Sequence, residues 1–183
     1  MFERFIESFG TASTPARHDA QPGSSVPVPD LNVFMDRVGR GVFKSGLLSV
    51  GAVREDVPSL GGWETLLPAG SYLFGTSAFG HLLTTSGEDA WMTDTQYGET
   101  MQLSARLIDA FDMLASHESL DEIFMEPLFT AWSEIFGPLP ATSVLCPVPA
   151  IPLGGTWSVE ALAPMPLHTY LRFTFELHNE ESL

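Results

Sequence analysis

Five histidines, one cysteine and a few clusters of Gly, Ser and Lys are the residues of this chain whose types could support acid–base, nucleophilic or metal chemistry. His18, His81, His117, His168 and His178 stand in five different contexts, with no His-x-x-x-His or His-x-His spacing and no cysteine beside them. A zinc site needs several close ligands of suitable type, so each histidine reads as a core or surface residue. Cys146 lies among Leu145, Pro147 and Val148 with no base to pair it, which reads as a buried thiol. Gly75-Thr76-Ser77-Ala78-Phe79-Gly80 has one residue too many between Ser77 and the second glycine for a nucleophile elbow. A sheet bend is expected there instead.

Gly39 to Ser45 contains a Lys44-Ser45 pair, but Phe43 stands where a phosphate loop needs glycine, so its amides could not cradle a phosphate. The acidic pairs Glu88/Asp89 and Asp121/Glu122 could serve as general acids or metal ligands. Neighbours on a helix do not share a face, however, and a solvated acidic surface accounts for them. These residues lead to a non-enzyme, with no metal, nucleotide or other cofactor expected.

The elements that would position such residues follow from apolar spacing. Phe2, Phe5, Ile6 and Phe9 mark one face of a helix that Gly10 can end. Residues 11–29 are rich in Pro, Ser, Gly and Ala and predict a loop. Leu31, Phe34, Met35 and Val38 predict a second helix, with Asp30 as N-cap and Gly39 as C-cap. Gly41 to Val50 predicts a short hairpin, and Tyr72 to Thr85 predicts strand with bends at Gly75 and Gly80. Ala90–Asp94 and Thr100–Leu103 should pair across Tyr97-Gly98, after a turn at Ser86 to Asp89. Turns this close together imply an antiparallel meander.

Helices are expected to dominate the rest. Leu107, Ile108, Phe111, Leu114 and Ala115 line one face. Ser119 to Glu122 matches a capping box, and an apolar stripe runs from Leu120 through Ile123, Phe124, Leu128, Trp132, Ile135 and Phe136. Pro127 implies either a kink or a second helix that begins there. Gly137 to Gly155 reads as a Pro-rich crossing, followed by helices over Ser158–Ala163 and Leu167–Leu177. The fold class is α+β: an antiparallel β-meander packed on one face by C-terminal helices, with a short helical N-terminal section. Phe79, Phe111, Phe124, Leu128 and Trp132 are expected in one buried cluster.

Charge divides the chain unevenly. Residues 1–54 hold six Arg/Lys and five Asp/Glu, while residues 55–183 hold two basic residues, Arg106 and Arg172, and eighteen acidic ones. The two parts are read as an N-terminal section, 1–54, and an acidic α+β domain, 55–183. With 44% apolar residues and a net charge of −15, the acid belongs to a folded body rather than a disordered tail. Such a surface repels nucleic acid and anionic membrane and attracts a basic protein. A lone cysteine, the absence of a signal-peptide core and the lack of a long apolar run predict a cytoplasmic protein.

Short stretches in order add a resemblance: Phe5-Ile6-Glu7-Ser8-Phe9-Gly10, Tyr72 to Gly80, Asp94-Thr95-Gln96-Tyr97-Gly98, Pro149 to Gly155, and a final Leu-rich helix after Glu160. Together they resemble the type VI secretion immunity proteins that join a GAD-like N-terminal part to a C-terminal immunity domain. The resemblance implies a cytoplasmic protein that binds a cognate antibacterial toxin stoichiometrically, the toxin being a nuclease effector, a DNase in well-described members. A nuclease carries basic surface to hold phosphate, so an acidic inhibitor complements it. The alternative is a small-molecule-binding or regulatory module of the same fold.

Under the leading reading, toxin contacts are expected on an acidic hairpin with aromatic anchors: Glu88, Asp89, Trp91, Asp94, Gln96, Tyr97 and Glu99. Trp91 is equally readable as core. A rival surface is the acidic helix face of Glu118, Asp121, Glu122 and Glu126. The motif residues themselves suit structural work: Gly80 and Gly98 at bends, Phe79 in the core, Tyr97 half-buried with its hydroxyl bonded.

Overall fold

The computed structural model describes residues 2–12, 28–51, 60–140 and 142–180. Two short helices, α1 (Glu3–Phe9) and α2 (Pro29–Arg37), precede a six-stranded antiparallel sheet. Its strands are β1 (Gly41–Phe43), β2 (Leu48–Val50), β3 (Tyr72–Ser77), β4 (Leu82–Ser86), β5 (Asp89–Asp94) and β6 (Glu99–Ser104), ordered in space as in sequence. Helices α3 (Leu107–Leu114), α4 (His117–Glu122) and α5 (Glu126–Phe136) follow. A separate hairpin of β7 (Ser143–Pro147) and β8 (Leu162–Pro166) then leads into α6 (Leu167–Glu180). The expected α+β meander with C-terminal helical packing is present. Strands β1 and β2, before residue 54, pair into the same sheet as the strands after it.

Period-two alternation divides the sheet's apolar side chains between two cores. Phe43, Leu48, Val50, Phe74, Leu83, Ala90 and Met92 join α1, α2, α3 and α5 in the larger cluster. Leu73 and Leu82, facing the other way, join Trp63, Val144, Cys146, Leu167, Tyr170 and Leu171. Neighbours Leu82 and Leu83 therefore belong to different cores, and α6 packs on a different face from α3, so the C-terminal helices cover both faces of the sheet rather than the one face expected. The larger core is held at its centre by rings. Phe34 stacks on Phe111 at 3.8 Å and 8°, and Phe5 meets Phe34 edge-on at 5.0 Å. This packing fastens both N-terminal helices to the sheet.

Several local expectations are corrected. The N-cap of α4 is Ser116, whose hydroxyl accepts from the Ser119 amide at 3.1 Å, so Ser119 begins no capping box. Val28 rather than Asp30 caps α2, and Asp30 lies within its first turn. Residues 158–163 form no helix: a single 3-10 turn, Val159–Ala161, runs into β8. Pro164 and Pro166 cannot continue a helix, yet in a two-stranded ladder they stand opposite Leu145 and Ser143 without harm. The supposed crossing 137–155 contains β7, a fully buried strand.

The chain forms two helices, α4 and α5, rather than one kinked helix, and α5 begins at Glu126 with Pro127 second rather than first. Phe79, Phe111, Phe124 and Trp132 share the larger core, but Leu128 is only partly buried and Phe129 takes the inward position. The stripe also ends early, with Ile135 67% and Phe136 58% exposed. The loop expected over 11–29 falls mainly on residues 13–27, outside the described residues, and Pro29 opens α2. Among the described residues no helix is long and apolar enough to cross a membrane.

Candidate functional site

Three of the separated sequence patches meet at one junction beneath α6. The β3–β4 turn places Gly80 at φ 84°, and a Cβ there would overlap the Tyr170 ring. Asp94 ends β5 and builds the next turn: its Oδ1 accepts from the amides of Gln96 at 2.9 Å and Tyr97 at 3.2 Å. Gly98, at φ 72°, completes that turn, its amide donating to the Asp94 carbonyl at 2.9 Å. The buried Gln96 side chain donates to Tyr170 Oη at 3.0 Å and accepts from the Ile151 amide at 3.3 Å. The patches at 72–80, 94–98 and 149–155 are thus bonded to one another.

The groups with chemical potential are engaged in this scaffold. His81 is buried, and its Nε2 lies 3.4 Å from Asp94 Oδ2. Burial opposes the Asp94 charge, but the His81 hydrogen bond and charge, with the Gln96 and Tyr97 amides, hold its carboxyl below the usual range. The other ring nitrogen, Nδ1, is buried with no hydrogen-bond partner. The pair therefore has the form of an oriented base with no nucleophile at its second nitrogen. Burial pushes the Cys146 thiol up to about 11, against a weak lowering by Gln96, so the reactive thiolate is disfavoured. Lys44 Nζ is 2.7 Å from Glu126 Oε1. Among the described residues no three His, Cys, Asp or Glu side chains gather as a metal-ligand set.

The proposed hairpin contacts do not form one patch. Glu88 and Asp89 sit at the β4–β5 turn, while Asp94, Gln96, Tyr97 and Glu99 surround the β5–β6 turn. A six-residue strand separates the two ends, about 17 Å. Gln96 is buried and Asp94 is committed to His81 and two amides, so neither offers a free surface. Trp91 is half-buried, its Nε1 buried and unpartnered. Tyr97 is 52% exposed, more than expected, and its hydroxyl accepts from Trp157 Nε1 at 3.1 Å. Glu88 and Glu99 are exposed.

The rival face is split in a different way. Glu126 belongs to its Lys44 ion pair, and Asp121 lies 3.5 Å from His117 Nε2 on the surface. Glu118 and Glu122, one turn apart and exposed, flank a groove between α4 and β6. The groove encloses about 290 Å³ and is lined by Met101, Leu103, Met113 and Ile123 below the two carboxylates. Sequence reading found the acids but not the groove, because Met101 and Leu103 come from a strand that gave no sign of lying against α4.

No protein-family model matches this chain, and no curated protein matches it significantly. A crystal structure of Atu4351 from Agrobacterium tumefaciens has a similar fold, with a TM-score of 0.63 at 18% identity. The match covers 95% of this chain and 88% of that one. At that identity the likeness establishes a shared fold.

Proposed function

We propose that this protein is an immunity protein: a stoichiometric binder that neutralises a basic antibacterial toxin, a nuclease effector of a type VI secretion system, in the cytoplasm of the protected cell. The observation that carries the reading is the charge on the folded body. Residues 55–183 hold eighteen acidic and two basic residues, and both basic ones stand beside carboxylates: Arg106 by Asp109 and Arg172 by Glu176. Exposed Glu88, Glu99, Glu118 and Glu122 remain without a basic side chain in ion-pair range among the described residues. A surface of this kind steers a cationic protein to it and repels nucleic acid. The order of the short motifs along the chain supports the same reading, as does the use of His81, Asp94 and Cys146 within the scaffold.

The test is co-expression with the product of the adjacent reading frame. The expected result is a tight one-to-one complex and restored growth of cells that carry the active toxin. A neighbour that neither binds nor harms the cell sinks the proposal.

A further inference from the structure

Strand β6 closes one side of the sheet. It pairs with β5 along one edge, and among the described residues no strand pairs with the other. Glu99, Thr100, Met101 and Gln102 are all exposed, with Met101 at 52%. An exposed edge carries a row of backbone N–H and C=O groups able to pair with another extended chain. Natural edges are commonly protected by lysine, proline or a bulge. Here β6, Glu-Thr-Met-Gln-Leu-Ser, contains neither lysine nor proline, and its register shift is confined to Leu103, leaving Glu99 to Gln102 in regular pairing with β5.

The groove beside this edge supplies what a bare edge lacks. Met101, opposite the core residue Met92, and Leu103, the bulged residue packed against the same core, face the helical side, where Met113 and Ile123 complete an apolar floor. Glu118 and Glu122 stand on its rim. An extended segment laid against β6 would point every second side chain onto that floor. On that same face, apolar side chains would meet the floor and cationic ones the two carboxylates that line it. The six residues of β6 span about 17 Å, enough for several backbone pairs.

The geometry points to β-strand addition at this edge: the groove between β6 and α4 receives an extended, lysine- or arginine-bearing segment of the protein partner as a seventh strand. The inference rests on the proposal that the partner is a basic protein. Backbone pairing supplies affinity, the apolar floor selects alternate side chains, and Glu118 with Glu122 selects positive charge.

The experiment is hydrogen exchange on the full chain, free and bound to an inactivated product of the adjacent reading frame. New protection is expected over 99–104 and 118–123. Met101→Lys, and separately the pair Glu118→Lys with Glu122→Lys, should each weaken the complex about tenfold or more, with thermal unfolding close to wild type. A complex that forms while 99–104 exchanges as in the free chain overturns strand addition and leaves the proposed function standing. A complex indifferent to all three substitutions does the same. Failure of the neighbour to bind at all overturns both.

Discussion

Tyr170 Oη donates to the backbone carbonyl of Phe79 at 2.9 Å, across 91 residues of sequence. The same hydroxyl lies 2.9 Å from Thr95 Oγ1 and accepts from Gln96 at 3.0 Å. Complete burial pushes the phenol's pKa well above its ordinary value, so it stays a neutral donor. One side chain of α6 thus joins two sheet turns that have no contact in sequence. Tyr170→Phe should cost about 1–3 kcal/mol by leaving buried polar groups unmatched, measured by urea unfolding. Gly80→Ala should cost more than a simple left-handed penalty, because its Cβ also meets the Tyr170 ring.

The Phe34–Phe111 stack makes a second prediction. Phe34→Ala should destabilise by about 3–5 kcal/mol, since the ring is fully buried and contacts Phe2, Phe5, Phe43 and Phe111. Phe34→Leu should recover much of the loss. Equal stability of wild type and the alanine variant would show that α2 is not fastened to the sheet by this ring.

Asp94 sets a pH dependence whose sign follows from its lowered pKa. Its contribution is complete above about pH 4, the unfolded value, and disappears as pH falls through the lower folded value. Asp94→Asn should therefore cost about 1–2 kcal/mol at pH 7 and progressively less in acid, where the wild type loses the same term. Parallel unfolding curves for the two proteins from pH 7 to pH 2.5 would contradict the assignment.

Thr84 predicts a gain. Its side chain is wholly buried and its hydroxyl has no hydrogen-bond partner. Thr84→Val removes that polar group at nearly constant shape, so stability should hold or rise by about 1 kcal/mol. A loss of similar size would indicate a bonded hydroxyl.

Charge placement separates the two acidic surfaces. Glu88→Lys with Asp89→Lys alters a turn at the end of β5 opposite the β5–β6 turn, and should leave association with the toxin near the wild-type rate at any salt concentration. Reversal of Glu118 and Glu122 should slow it, with the wild-type rate itself falling as salt rises. Stopped-flow association at low and high ionic strength distinguishes them. The opposite ranking would move the contact surface to the hairpin.

The alternating and helical apolar spacings by themselves determined the meander, the N-terminal helices and α3, because each pattern buries one face in only one kind of element. Turn chemistry at Gly80 and at Asp94 to Gly98 was legible for the same local reason. Strands β7 and β8 were not: proline and a continuous apolar run hide a two-residue period, and only a partner strand makes Ser143–Pro147 extended. The end of the α5 stripe was misread because nothing in sequence says where the opposing core stops.

The candidate site shows the same division. The acids and aromatics of the hairpin were visible, but sequence proximity placed Glu88 and Tyr97 together when β5 holds them apart. Burial then withdrew Gln96, and the His81 pairing withdrew Asp94. Met101 and Leu103 beside Glu118 and Glu122 arise only when α3 folds back over the sheet and lays α4 along its edge. Charge sign and abundance are properties of composition, and the chain alone settled them. Which charges are free, and which apolar floor they border, depends on contacts between residues distant in sequence, which the tertiary structure decides.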